Sequence, residues 1–335
     1  MAAEASASSV RWGIVGAGGI AAIVGDDIQV TPDNTVVAVA ARDADRAAAF
    51  AHAHGIAGSY GSYAELVADP EVDVVYIATT HAQHHEQALL ALRAGKPIVV
   101  EKAFTLTAAQ AREIVAEAGA RRLFCMEAMW MRVDPLIMRM QQLLADGVIG
   151  DVVGVRADLS KYFTYDPNAR LFDLAVGGGA LLDLGVYPVT FARLVLGHPD
   201  TQTVTGSLAP TGADATVTLQ WGYDDGRLAQ IYCSSAGYSP YAGLITGTDG
   251  WLRVEGRVHH PSALTVHAAD VDRVIDAEPG HGNGYQHQVA EVARCLRAGE
   301  LESPLVPLAD TVGVLEILDD ARRQLGVRYP ADQED

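Results

Sequence analysis

Three side chains in this 335-residue sequence have the type and setting to move a proton: Lys102, Asp183 and Tyr187. Lys102 directly follows the apolar run Pro97-Ile-Val-Val-Glu101, so it stands at a strand's carboxyl edge, where open α/β sheets bind their ligands. Lys96, Lys102 and Lys161 are the only lysines, and arginine supplies the rest of the positive charge. Asp183 and Tyr187 are four apart in the stretch Gly177–Pro188, which on one α-helix puts them on one face. Pro188 lacks a backbone donor and is expected to open that helix locally. A phenol takes up an alcohol proton when a nearby ammonium lowers its pKa from about 10. Asp183 would orient the substrate or the ammonium. The chemistry such a set supports is oxidation of a hydroxyl, with hydride leaving the same carbon. The plainer reading, a surface aspartate beside a packed tyrosine, stays open on these residues alone.

A hydride needs an acceptor, and residues 10–21 point to one. A short apolar strand runs into Gly16-Ala17-Gly18-Gly19-Ile20-Ala21, the G-x-G-x-x-A form of the dinucleotide fingerprint. Gly16 allows the tight turn, Gly18 lets the backbone approach a pyrophosphate, and Ala21 lets the next helix pack closely. At the end of the second strand, where an acidic residue would accept from a ribose 2′-hydroxyl, the chain has Ala41 and then Arg42. A guanidinium there suits a 2′-phosphate, so NADP is favoured with NAD as the alternative, and Asp43 is placed to cap the following helix. The expected cofactor contacts are Gly16, Gly18, Gly19, Ile20, Arg42, Thr79, His81, His84, Glu101 and Lys102. His81, His84 and His85 have no accompanying cysteine, so they are read as helix-start or cofactor contacts and no metal is expected. His259-His260 is read as an exposed loop pair. Trp130, Tyr162, Phe163 and Tyr285 are candidates to line a substrate pocket, with core packing an equal alternative.

The bulk properties narrow the class. A net charge of −18 repels nucleic acid and anionic membranes, so a phosphate-bearing ligand needs a local basic site. Cys125, Cys233 and Cys295 form no disulfide framework, which fits a reducing cytoplasm. Residues 1–9 lack the basic and apolar regions of a signal peptide and are expected to be a flexible tail. No apolar run reaches the roughly 18–20 residues that span a bilayer.

The elements that must carry these residues fall into two patterns. Strand-like runs Arg11–Val15, Thr35–Ala40, Val72–Ala78, Pro97–Glu101 and Leu123–Glu127 alternate with Ala-rich helical stretches. This predicts a doubly wound parallel sheet, a Rossmann dinucleotide-binding domain, over residues 10–125. From 126 to 335 the pattern changes to helices at Pro135–Asp146, Gly179–Leu196, Gly284–Ala298 and Ala309–Leu325 around seven extended segments. That predicts an α+β domain on an open, mostly antiparallel sheet, for substrate binding and oligomerisation. No helix fully covers its later strands, so a homodimer or homotetramer is expected.

Gly13–Ala21, Ala78-Thr79 through His84, Gly95–Lys102 and Gly177–Tyr187 together resemble the Gfo/Idh/MocA oxidoreductases over nearly the whole chain. Met126–Trp130, Gly282–Tyr285, Asp310–Asp319 and Gly326–Pro330 are similar to its branch of dimeric dihydrodiol dehydrogenases and NADP-dependent D-xylose 1-dehydrogenases. The resemblance implies a Rossmann domain, an open-faced sheet domain that often mediates subunit contacts, and catalytic roles for Lys102, Asp183 and Tyr187. It implies a sugar, polyol or cyclic diol as the substrate. Two departures stand out: Glu-Lys-Pro is here Glu-Lys-Ala103, and the usual Pro-Asn after Ala-Thr is Thr80-His81. A cis bond without proline costs about 2.5–4 kcal/mol, so the backbone geometry at Lys102 is left open by the sequence. Two other functions stand beside the leading one: an NAD-dependent inositol-type dehydrogenase and a non-catalytic NADP(H)-binding sensor. A sensor needs the glycines but not Lys102, Asp183 and Tyr187. A short-chain dehydrogenase is excluded, because no tyrosine is followed four residues later by lysine.

Overall fold

The computed structural model describes residues 9–278, 280 and 282–333, so all but Ser9 of the expected tail lies outside the described residues. By packing, the chain divides into two compact units. The first comprises residues up to Phe104, Ala109–Trp130 and Gly280–Leu308; the second comprises Thr105–Ala108, Met131–Pro279 and Ala309 onward. The sequence suggested one boundary near residue 125, whereas the chain passes between the units several times.

The first unit is built on six parallel strands: β1 (Val10–Val15), β2 (Asn34–Ala40), β3 (Gly58–Tyr60), β4 (Val74–Ile77), β5 (Ile98–Val100) and β6 (Cys125–Glu127). Their order is β3-β2-β1-β4-β5-β6, the doubly wound arrangement with its order reversing at β1 and β4. The helices are α1 (Gly19–Val30), α2 (Ala44–His54), α3 (Tyr63–Ala68), α4 (His81–Arg93) and α5 (Ala108–Arg121). The apolar runs become strands because both faces of a covered parallel sheet are dry. Val74, Val75, Tyr76 and Ile77 are all buried, as are Ile98, Val99 and Val100. Polar residues set the helix starts: the Asp43 carboxylate accepts from Arg46 N at 2.8 Å, as expected, and Ser62 Oγ accepts from Glu65 N at 3.3 Å. Strand β3 escaped the sequence reading because Gly-Ser-Tyr has neither alternation nor an apolar run, and only the β2 edge makes it a strand.

The second unit holds α6 (Pro135–Ala145), β7 (Val152–Ser160) and α7 (Val186–Leu196). It continues with β8 (Thr201–Leu208), β9 (Asp214–Gly222), β10 (Leu228–Ser234), β11 (Gly243–Gly247), β12 (Gly250–Arg257), β13 (His260–Ala268) and β14 (Val271–Asp276). These form one sheet in the order β14-β13-β12-β11-β7-β10-β9-β8, and every pairing is antiparallel except β7 with β10. Period-2 alternation turns Val155, Ala157, Leu159, Leu219, Trp221 and Ile231 inward, and α7 packs against β7 and β10. Leu228, on the opposite parity to Ile231, remains about half exposed, as does Val153, which the register shift between β7 and β11 skips. Strand β14 is a largely exposed edge whose apolar residues do not alternate onto one buried face, so no period-2 pattern announces it. Helices α8 (Gln286–Ala298), which packs on α1 in the first unit, and α9 (Leu308–Leu325), whose Gln324 accepts from Val204 N of β8, complete the fold.

Two expectations change here. The helix predicted at Gly179–Leu196 is a π-helical turn over Leu181–Gly185 followed by α7, so its register shifts just before Pro188. Pro188 cannot give the Leu184 carbonyl an α-helical donor, which accounts for local opening at this point. The expected lack of a bilayer-length apolar run also fails on composition, because the stretch Leu174–Leu196 is long and apolar enough. Most of it is buried inside the protein, where Leu181, Leu182, Val186, Val189 and Phe191 are core residues.

Candidate active site

In the first unit the fingerprint folds as its glycines require. Gly16 has φ +106°, and a Cβ there would lie 2.7 Å from the Ala78 carbonyl at the end of β4. Gly18 precedes α1 without any side-chain cap, and a Cβ on Gly18 or Gly19 would meet nothing within 4 Å. Ile20 lies in the first turn of α1, and Ala21 is buried beneath it. Free N–H groups at a helix start beneath open space form an anion cradle. Beside it, Thr79 Oγ1 is buried without a hydrogen-bond partner, and an orphaned hydroxyl at a sheet edge costs about 1–3 kcal/mol unless a ligand satisfies it. Both observations fit a dinucleotide.

Ala41 is buried and Arg42 is exposed, pairing with no carboxylate among the described residues. A second guanidinium joins it. Arg46 Nη2 donates to the Ala17 carbonyl inside the glycine loop at 2.9 Å. The sequence reading missed Arg46, although its place in the first turn after the Asp43 cap directs it back toward that loop.

The Lys102–Ala103 peptide is cis without proline, which answers the question left by the Glu-Lys-Ala departure. Side chains grip this segment from two sides. His81 Nε2 lies 3.3 Å from the Lys102 carbonyl, His84 Nδ1 lies 3.0 Å from that of Ala103, and Phe104 N donates to Glu127 Oε1 at 3.2 Å. His84 Nε2 also lies 3.2 Å from the Thr79 carbonyl. Burial and the adjacent His81 ring push the His84 pKa down to about 3, so it is neutral and has one N–H to share between those carbonyls. Both histidines therefore contact the backbone around Lys102 and Thr79, as helix-start contacts. Glu101 is buried and accepts from the Tyr76 hydroxyl and, at 3.2 Å, from Lys102 N. Trp130 and Tyr285 come together as a stacked pair, ring centroids 4.4 Å apart and planes at 25°.

In the second unit, Asp183 sits in the π turn and its Oδ1 accepts from Arg170 Nη2 at 2.9 Å. Tyr187 opens α7, is only 6% exposed, and stacks on His259 with centroids 4.4 Å apart. The shared α-helical face drawn for Asp183 and Tyr187 does not apply as stated, since their spacing crosses the change of register. The expectation of an exposed loop pair at His259-His260 holds only in part: His259 lies in the β12–β13 turn but packs on Tyr187, while His260 is exposed yet begins β13 with Nδ1 3.1 Å from Asp134 Oδ2. Tyr162 is half exposed beside Tyr238, at 6.3 Å between rings, and Lys161 Nζ lies 5.2 Å above the Phe163 ring. Arg170 and His259 had no sequence signal, because only the fold sets them against residues 13 and 72 positions away.

Residues 10–128 match an oxidoreductase family with an NAD-binding Rossmann fold, and residues 137–253 match the GFO/IDH/MocA C-terminal domain. The chain belongs to the GFO/IDH/MocA family. Its members among curated proteins include the trans-1,2-dihydrobenzene-1,2-diol dehydrogenases of Macaca fascicularis, 38% identical, and Bos taurus, 37% identical. Each similarity spans 97% of this chain and 99% of the relative. A 3-ketoreductase from Actinomadura kijaniata in complex with NADP superposes with a TM-score of 0.83 at 26% identity, over 95% of this chain and 98% of that one. Levoglucosan dehydrogenase with NADH and levoglucosan shares the fold, with a TM-score of 0.86 at 20% identity over the same shares. As a GFO/IDH/MocA protein the chain is an oxidoreductase with a nicotinamide-nucleotide Rossmann fold, and the resemblance seen in the sequence holds.

Proposed function

We propose that this chain is an NADP-dependent dehydrogenase of a sugar, polyol or cyclic diol. The observation that carries this is near-full-length similarity to diol dehydrogenases, and the presence of Lys102, Asp183 and Tyr187 in the stretches whose sequence resembles the family supports it. Arg42, which meets no carboxylate among the described residues, buried Ala41 and the Arg46 side chain at the glycine loop support the 2′-phosphate form of the cofactor. Buried, free Cys125, Cys233 and Cys295 support a cytoplasmic setting.

A nicotinamide nucleotide held at the glycine loop and Thr79 would supply the hydride acceptor. The protein's own groups then account for the proton. Tyr187 takes it from the substrate hydroxyl, and the Lys102 ammonium favours the negative charge that develops on oxygen. Arg170 holds the Asp183 carboxylate in place to orient substrate. Thr79 Oγ1 would find in a bound nucleotide the hydrogen-bond partner it lacks among the described residues. The stacked Trp130 and Tyr285 give the first unit an apolar face of the kind sugars and cyclic diols stack on, and Tyr162 and Phe163 remain the candidates of the second unit.

The test is turnover of aldoses, polyols and cyclic diols with NADP and with NAD, followed at 340 nm. Faster turnover with NADP on one of these classes supports the reading. A preference for NAD overturns the cofactor, and NADP binding without any turnover returns the protein to the sensor class.

A further inference from the structure

Asp27 lies two turns into α1, fully buried, and neither nucleotide binding nor proton transfer has used it. Its carboxylate is ringed by donors from a segment 256 residues later in the chain. Asn283 N donates at 2.8 and 3.0 Å to its two oxygens, and Asn283 Nδ2 donates at 2.9 Å. Tyr285 N donates at 2.7 Å and Gln286 N at 3.1 Å. Those last two N–H groups belong to the start of α8, where Tyr285 occupies the cap position and makes no cap bond with its own side chain. Asp27 therefore supplies from α1 the acceptor that α8 lacks, and the positive end of α8 compensates its charge.

The loop sequence is fitted to this carboxylate. Gly282 has φ +101°, and a Cβ there would stand 2.8 Å from Asp27 Oδ1. Glycine alone lets the chain pass that close. The residue so held is Tyr285, whose ring lies on Trp130. A buried carboxylate with this many charge-assisted bonds fixes the backbone of Tyr285 far more firmly than a single ring stack does.

We propose that Asp27 is the positioning residue that holds Tyr285 against Trp130, and thereby sets the aromatic surface this unit offers to substrate. The last clause rests on the substrate role given above to Trp130 and Tyr285. In full-length protein carrying 5-fluorotryptophan, Trp12, Trp130, Trp221 and Trp251 each give a fluorine resonance, and Trp130→Phe assigns the relevant one. Asp27→Asn, and Gly282→Ala from the loop side, are expected to move the Trp130 resonance and leave those of Trp221 and Trp251 in place. Substrate KM is expected to rise about tenfold or more, with the NADPH Kd within about twofold. If Asp27→Asn does not fold, Gly282→Ala carries the same readout. A Trp130 resonance that does not move in a folded variant overturns the proposal, as does an NADPH affinity that falls as far as KM rises. A resonance that moves with KM unchanged confirms the positioning by Asp27 and removes the pair from substrate binding.

Discussion

Tyr187 lies flat against His259, with 4.4 Å between ring centroids and 23° between planes. The phenol is thus clamped at the first turn of α7 by a residue from the β12–β13 turn, and only 6% of it is exposed. A packed tyrosine has little rotamer freedom to lose when it is asked to take a proton.

Loss of the acid–base groups comes first among the expectations. Tyr187→Phe and Lys102→Met should each lower kcat by at least about 10²-fold, with NADP(H) affinity nearly unchanged. His259→Leu keeps the phenol but removes the ring beneath it, and should lower kcat less than Tyr187→Phe does. Steady-state kinetics with a separate nucleotide titration checks all three. Near-full activity in Tyr187→Phe would leave the tyrosine a packing role and pass the proton to another group.

Cofactor choice depends on two guanidinium groups. Arg42→Ala should weaken NADPH binding about ten- to hundredfold, the range of a lost charge-assisted phosphate bond, while NADH binding changes little. Arg46→Ala, which also releases the Ala17 carbonyl, should weaken both nucleotides and NADPH more. Calorimetric titration distinguishes them; equal or tighter NADH binding by the unmutated protein would refute the NADP reading.

Asp214 gives a pH signature. It is buried, its Oδ2 accepts from Leu181 N at 2.6 Å at the start of the π turn, and its Oδ1 has no partner among the described residues. Burial pushes its pKa up to about 6. The folded protein thus holds this proton more tightly than the unfolded chain, whose aspartates titrate near 3.9. Stability from this group is complete below about pH 4 and is lost as pH rises through about 6, by roughly 3 kcal/mol. Asp214→Asn should remove that dependence. Urea midpoints of both proteins between pH 4.5 and 7.5 should diverge in favour of the variant as pH rises, and a constant difference would contradict the assignment.

The outer face of the eight-stranded sheet is the proposed self-association surface. A shallow groove there is lined by Val153, Arg156, Gln230, Leu244 and Thr246, with half-exposed Leu228 beside them. Light scattering at micromolar concentration should show a dimer or tetramer, and Val153→Asp with Leu228→Asp should yield monomer. A monomeric unmutated protein would end this proposal.

Local chemistry by itself determined the Rossmann sheet, the glycine turn, the Asp43 cap and the antiparallel strands, because each rests on residues within one or two turns of each other. Buried β-branched runs and period-2 alternation survive in any context, so all five expected Rossmann strands fell within a residue or two of their ends. Contacts between distant residues decided the rest. Gly-Ser-Tyr became a strand only because β2 offered an edge, and residues 280–308 joined the first unit because α8 packs on α1. The π turn at Leu181–Gly185, His259 beneath Tyr187, Arg170 on Asp183 and the Asp27 carboxylate around residues 283–286 leave no trace in sequence spacing. Their energy comes from burial and hydrogen bonds that exist only once the chain has closed over them, and so only the tertiary structure supplied them.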